Sequence, residues 1–398
     1  MQQGHQSGID LAQLYLDGHW LSHARASCAE ALAGDPGAGE ANILLREIDR
    51  RLEDPDVLNL SREHTPIMVM KDRKSIISTL QFRELHDDRL KQEAFRQAVY
   101  YIDVETSSQC NRQCNYCPNS QNDRLTSNRF MPDNIFSGLV YDLHTINYEK
   151  ELHFVGYNEP MLHLDDLLGR ISLARKLLPR ARLIVFTNGD FLKTPELEKL
   201  ISAGVNQITI SVHLPVGRPY VDEEIFNRIN KIAKRLGTPI RPMSHIKDVM
   251  ITAQLVHPGI DITIQQTDYE RLGSNRAGTL ESVGEKIDVR TSACQLPIHQ
   301  FIVGHNGAVV PCCVMVTDDK KNAQHILGHV GRKSTIFDIY GSRRFVEWRQ
   351  SLYNLRPKLA PCDKCNQGIS MPLNNEPAIY EPWQHVVAPP LSAPIILG

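Results

Sequence analysis

The run Cys110-Asn-Arg-Gln-Cys114-Asn-Tyr-Cys117 holds three thiols within eight residues, spaced three and then two apart. A chain that carries it must fold so that three sulfurs on one short loop converge, which few architectures provide. Three thiolates so placed can ligate three corners of a cubane iron–sulfur cluster and leave the fourth iron to a ligand from outside the polypeptide. Ordinary ferredoxin clusters take four cysteines instead. The competing reading is zinc, or plain packing. Zinc sites usually pair C-x2-C units and take a fourth Cys or His nearby, and none follows this loop closely.

The loop follows an apolar stretch, Ala98–Glu105, and from there strand and helix patterns alternate. Strands are expected at Leu152–Val155, Arg182–Phe186, Gln207–Val212, Lys247–Leu255 and Asp261–Gln265. Helices are expected at Pro132–Leu143, Leu164–Leu178, Pro195–Ala203 and Glu223–Arg235. Alternation of this kind implies parallel βαβ units with right-handed crossovers. Six units give an α/β fold, a partial (β/α)6 barrel of TIM type over residues 98–275, with its site on the loops at the C-terminal strand ends.

The 398 residues carry a net charge of −2, with 41% hydrophobic and 23% charged positions, which suits two or three globular domains. Near-neutral charge gives no support for nucleic-acid binding by electrostatics, and none is expected. No apolar run spans a bilayer, and the first residues lack a signal-peptide core. The expected location is cytoplasmic, where thiols stay reduced and can serve as metal ligands.

Residues 1–65 read as helical, with Leu11, Leu14, Tyr15, Ala24, Ala29, Leu32, Ala41 and Leu44 at helical spacing. The pattern resembles a tetratricopeptide-type hairpin. A single repeat cannot bury its own faces, so it is expected to dock on the main body or on a protein partner. Residues 66–97 read as a connector and 371–398 as a tail. Cys28 is expected to be a buried structural residue.

The remaining cysteines form a second set. Cys294 precedes a predicted hairpin, Ile302-Val-Gly-His-Asn-Gly307-Ala-Val-Val-Pro-Cys312, and Cys362-Asp-Lys-Cys365 supplies a distant pair. Four thiols make a closed site, for an iron–sulfur cluster without an open iron or for structural zinc. Cys313 is left over, either a spare thiol or a hydrogen donor to a substrate radical.

The spacing C-x3-C-x2-C, with Tyr116 just before the last cysteine, resembles the cluster loop of radical S-adenosylmethionine (radical SAM) enzymes. The resemblance implies that the open iron chelates the amino and carboxylate groups of SAM. An electron then cleaves SAM to methionine and a 5′-deoxyadenosyl radical, which abstracts substrate hydrogen. It further implies SAM contacts from Tyr116 (against adenine), from Asn158 and Glu159, from Asn188 and from Ser211, with Cys313 and His213 as candidate catalytic groups. The family usually carries a Gly-Gly-Glu-Pro-like motif where this chain has Gly156-Tyr157-Asn158-Glu159-Pro160, so the first half is altered.

The second cysteine set, with Asn275-Arg-Ala-Gly278 before it, resembles the SPASM extension and its shorter twitch relative. The implied region is a small α+β domain over residues 276–370. Full SPASM domains need further cysteines beyond the knuckle, and none follows Cys365. One auxiliary 4Fe-4S cluster is therefore expected beside the SAM-binding one, with flavodoxin or ferredoxin as electron donor. The helical N-terminus, unlike the winged-helix start of many peptide modifiers, favours a small molecule such as a sugar, a nucleoside or another natural-product intermediate. Oxidation, epimerisation or rearrangement are the expected outcomes. A maturase making thioether or carbon–carbon crosslinks in a peptide is the alternative, and a zinc-stabilised adaptor without catalysis is the alternative of another class.

Overall fold

The computed structural model describes residues 28, 31–32, 39–52 and 78–368, apart from 285 and 355. Most of the expected N-terminal hairpin and the C-terminal tail lie outside the described residues. Of the first helices, α1 (Gly39–Leu52) is described and buries Ala41, Leu44 and Ile48 on one face, and helical Cys28 is buried as expected. The second half of the expected connector forms a helix, α2 (Asp88–Ala98), capped by the Asp87 carboxylate, which accepts from the Leu90 amide. Ala98 thus ends a helix rather than starting a strand.

Ten strands make one open sheet among the described residues. They are β1 (Tyr101–Val104), β2 (Glu151–Phe154), β3 (Arg182–Thr187), β4 (Gln207–Ser211), β5 (Ile240–Ile246), β6 (Met250–His257), β7 (Ile260–Thr267), β8 (Gln300–Val303), β9 (Ala308–Val310) and β10 (Gly328–His329). Their order is β10-β9-β8-β1-β2-β3-β4-β7-β6-β5. β8, β1, β2, β3, β4 and β7 run parallel; six parallel strands were expected, but the sixth is β8 (Gln300–Val303), from the region expected to form the auxiliary-cluster domain, and not the strand expected at 247–255.

The helices α3 (Asp133–Thr145), α4 (Leu164–Leu177), α5 (Thr194–Ala203) and α6 (Asp222–Leu236) follow the first four strands. α6 has Asp222, Glu223 and Glu224 in its first turn and Lys234 and Arg235 in its last, the charge order that suits the helix dipole. One face of each parallel strand packs under these helices: Ile102, Val104, Leu152, Phe154, Leu183, Val185, Ile208, Ile210, Ile262 and Ile264 all belong to one buried core. Phe95 of α2 enters that core edge-on to Phe301 and Phe337, at 5.3 and 5.4 Å between ring centroids. Burying such a ring stabilises by about 1.5–3 kcal/mol.

The fifth and sixth units differ from the expected βαβ repeat. Residues read as one strand at 247–255 are instead a turn and β6, and the turn passes through Asp248 in the left-handed region (φ 55°), which Asp tolerates. After α6, β5, β6 and β7 form an antiparallel meander, whose two reversals bring β7 parallel beside β4. The last strand, β5, carries an irregularity between Pro242 and Ser244. After the short helices α7 (Tyr269–Leu272) and α8 (Leu296–His299), the expected hairpin appears as β8 and β9, and α9 (Ile336–Gly341) and α10 (Arg343–Leu352) complete the described chain.

Candidate active site

The loops after β1 to β4 surround one cavity of about 180 Å³. Cys110, Cys114 and Cys117 line it, together with Tyr116, Asn158, Glu159, Asn188, Ser211 and His213, so the residues singled out for SAM share one wall with the three thiols. Burial pushes the Cys110 thiol up to about 12, helped by the charges of Glu159, Cys117 and Cys114. Burial likewise lifts Cys117 to about 11. Thiols this reluctant to ionise need a positive centre among them to become thiolates.

The loop is held by ions rather than by apolar packing. Arg112 forks onto Asp190 at 2.6 and 2.8 Å, and Asn111 donates to the same carboxylate at 2.7 Å. Asn188 donates to Asn111 at 2.7 Å, tying the β1 and β3 loops together. Glu159 is buried and accepts from the Thr187 hydroxyl at 2.6 Å, the Asn188 amide at 2.7 Å and the Met161 amide at 3.0 Å. Burial raises its carboxyl to about 7 against these donors. Tyr116 donates or accepts at His213 Nδ1 at 2.8 Å, and its ring packs 5.0 Å from Tyr269. Burial and the Arg112 charge lower His213 to about 4, so its ring is neutral near pH 7.

The residues fit an added cationic ligand and a cluster. The buried Asn158 Oδ1 and Asn119 Oδ1, both on the cavity wall, have no hydrogen-bond partner within the protein, and each is an acceptor suited to an ammonium group. Among the described residues no three His, Cys, Asp or Glu side chains stand close enough to grip one single metal ion.

The second cysteine set gathers behind the β8–β9 hairpin. Burial pushes the Cys312 thiol far up, and the charges of Cys313, Cys362, Cys294 and Cys365 all add to it. Leu296, Ile302, Val310 and Met315 wrap these sulfurs in apolar surface. Asn275 donates to the Lys364 carbonyl at 2.5 Å and Arg290 to the Cys365 carbonyl at 3.1 Å, fixing the knuckle.

The family model described as the radical SAM superfamily matches residues 104–240, and that of an iron–sulfur cluster-binding domain, SPASM, matches 294–366. The chain is a radical SAM protein with a C-terminal SPASM domain. It is 27% identical over 268 residues to the S-adenosyl-L-methionine-dependent 2-deoxy-scyllo-inosamine dehydrogenase of Niallia circulans, covering 67% of this chain and 92% of that one. The crystal structure of BtrN in complex with AdoMet and 2-DOIA superposes with a TM-score of 0.50 at 24% identity, over 67% of this chain and 93% of that chain. It shares the radical SAM fold. SAM and iron–sulfur groups are the cofactors of this enzyme, which is of oxidoreductase type.

The fold explains the altered Gly-Tyr-Asn-Glu-Pro loop of this radical SAM chain. A side chain on Gly156 would stand 2.6 Å from Glu105 Cβ, so glycine is required there. Tyr157 donates its hydroxyl to the Cys313 carbonyl at 2.7 Å, linking the SAM loop directly to the SPASM segment. Cys313 lies at that junction: its amide donates to Gln300 at 3.2 Å, and burial lifts its thiol to about 11.

Arg276 was not singled out from sequence. Its guanidinium sits 5.6 Å over the Tyr157 ring, among the charges of Cys313, Cys117 and Tyr269, and its buried Nε has no partner. Its backbone is left-handed (φ 52°), as is that of Ala277 (φ 53°), a costly geometry for residues with a Cβ. The signal for it was the Asn-Arg-Ala-Gly run just ahead of the second cysteine set.

Proposed function

We propose that this radical SAM enzyme is a dehydrogenase that oxidises a secondary hydroxyl of a small polyhydroxylated ring, of the aminocyclitol or sugar class, to a carbonyl. The observation that carries the reading is the junction at Tyr157, Cys313 and Arg276, which sets a guanidinium whose buried Nε has no partner beside Cys117 of the three-thiol loop and Cys313, the neighbour of Cys312 in the four-thiol set. The Niallia circulans relative, whose name gives an alcohol-bearing aminocyclitol as substrate, supports the substrate class.

When bound, SAM and a 4Fe-4S cluster on Cys110, Cys114 and Cys117 supply a 5′-deoxyadenosyl radical, and a second 4Fe-4S cluster on Cys294, Cys312, Cys362 and Cys365 supplies an electron acceptor. The protein does the rest. Glu159, Asn158, Asn188 and Ser211 hold SAM against the loop, and Tyr116 walls the adenine side beside Tyr269 and His213. Arg276 holds the substrate oxygen by charge-assisted hydrogen bonds, a geometry the planar guanidinium fixes better than an ammonium. The thiols require a reducing compartment, which supports a cytoplasmic enzyme served by a flavodoxin or ferredoxin.

The test is anaerobic reconstitution with iron and sulfide, then reduction with SAM and 2-deoxy-scyllo-inosamine. The expected result is 5′-deoxyadenosine and a carbonyl product in equal amounts. Cys114→Ala abolishes both, whereas Cys362→Ala retains 5′-deoxyadenosine and loses carbonyl. Release of 5′-deoxyadenosine with no carbonyl from any aminocyclitol or sugar overturns the dehydrogenase reading.

A further inference from the structure

Two buried acceptors on the cavity wall lack a donor, and they belong to different neighbourhoods. Asn158 precedes Glu159 in the SAM loop, and its Nδ2 donates to the Ser107 hydroxyl at 3.2 Å, which leaves its Oδ1 bare. Asn119 lies in the short turn Pro118–Ser120 just after Cys117 and is 3% exposed. Its Nδ2 donates to the Tyr157 carbonyl at 2.9 Å. A carbonyl only accepts, so that bond fixes which way round the amide sits and leaves Oδ1 as its open end.

No described residue supplies the missing hydrogen to Asn119 Oδ1. Thiolates that hold a cluster accept only, and so does an ionised Glu159. Two donors on the same wall are spent. Arg112 is held by Asp190 and by the His213 carbonyl at 3.3 Å, and Asn188 Nδ2 is held by Asn111 at 2.7 Å. A bare buried acceptor is rare in native structures unless a ligand or an ordered water meets it.

Tyr157 joins Asn119 to the place where the substrate oxygen is proposed to sit. The Tyr157 hydroxyl donates to the Cys313 carbonyl at 2.7 Å, and the Arg276 guanidinium lies 5.6 Å over the Tyr157 ring. Arg276 Nε is likewise buried without a partner. One residue is thus flanked by an unmet acceptor and an unmet donor. A small ring that offers an oxygen to Arg276 and an N–H group to Asn119 satisfies both.

We infer that Asn119 is a specificity-determining residue, accepting a hydrogen bond from an amine carried by the ring whose hydroxyl is oxidised. This role rests on the dehydrogenase reading, which places the substrate oxygen at Arg276. A protonated amine suits the place better than a second hydroxyl. It donates without lone pairs of its own, and it is drawn by the thiolate charge of Cys117, two residues away in the chain. Asn119 seats and selects the ring and takes no part in the transfer of hydrogen or electrons.

The test uses the reconstituted full-length enzyme with two ring-deuterated compounds, 2-deoxy-scyllo-inosamine and the same ring with hydrogen in place of the amine. The readout is the ratio of their kcat/KM values for deuterium transfer into 5′-deoxyadenosine, a step that needs a correctly seated ring but no carbonyl product. The parent is expected to prefer the amine about 10- to 100-fold, the range for a hydrogen bond to a charged group. Asn119→Leu and the smaller Asn119→Ala are both expected to bring that ratio to within about threefold of unity, with SAM affinity within about twofold of the parent. A displaced Tyr157 loop slows both compounds alike and leaves the ratio in place. A parent-like ratio in both variants therefore overturns the assignment, and so does lost SAM affinity with the ratio intact, which puts Asn119 on SAM instead. A parent that shows no preference for the amine, or takes deuterium from neither ring, overturns it as well. Deuterium transfer with the expected ratios but no carbonyl product counts against the dehydrogenase reading alone.

Discussion

Glu159 shows how one buried carboxyl couples ligand binding to pH. Burial carries it from 4.5 to about 7 in the free protein. In the proposed role its ionised form attracts the ammonium of SAM, so SAM affinity is expected to fall as pH drops through about 7, by up to about tenfold per pH unit. The same raised value works the other way on the ligand-free fold: the native state keeps a proton that the unfolded chain has lost, so this contribution weakens as pH rises from 4.5 toward 7. Equilibrium binding of SAM across that range checks the first sign, and Glu159→Gln is expected to bind weakly with a flat profile. At this scale the sequence was most informative where the chemistry is carried by rare residues. Eight of nine cysteines falling in two groups cannot be mistaken for background, whereas Arg276 is one of many arginines, and only a three-dimensional neighbourhood marks it out.

The elements were legible wherever a helix intervened between strands. β2, β3 and β4 lie within a residue or so of their expected bounds. The β5–β6–β7 meander was not legible, because a hairpin turn at Asp248 looks like an interruption within one strand when no tertiary partner is known. The contacts of His153 with Asp103 and with Glu151, each 2.9 Å, were hidden for a related reason. Parallel strands covered on both faces usually read as unbroken apolar runs, while β1 alternates Tyr101, Ile102, Asp103, Val104 and β2 alternates Glu151, Leu152, His153, Phe154. That alternation is the mark of a lumen that is polar by design of the sequence. The loop after β2 carries the tightest constraint at this scale. Gly156→Ala places a methyl 2.6 Å from both Glu105 Cβ and Cγ, atoms too close to the backbone to swing aside. A cost of about 1–3 kcal/mol is expected, seen as a lower melting temperature together with reduced SAM cleavage, since Tyr157 moves with the shifted backbone.

At the scale of the molecule, a buried charge network joins the barrel to the SPASM segment. Glu105 accepts from Arg124 at 3.2 Å, from the Tyr157 amide at 3.0 Å and faces His305 at 2.8 Å, while Arg124 reaches Asp318 at 2.5 Å. Arg124 is 2% exposed and Glu105 6%, so neither charge has water to fall back on. Glu105→Ala removes one carboxylate from Arg124, which keeps Asp318, and is expected to destabilise by about 1–3 kcal/mol in chemical denaturation. The exposed pair Arg180–Glu149 is the control, and Arg180→Ala is expected to change stability by less than about 1 kcal/mol.

Among the described residues β5 is an outer strand of the open sheet. Such a border is a template for a second chain to add to, and growth by that route ends in aggregates. Pro242 removes one donor from the strand, and the irregularity beside it breaks the flat run of backbone that an incoming strand would copy. A variant that straightens this border, Pro242→Val for instance, is therefore the one most apt to turn a soluble preparation cloudy on standing.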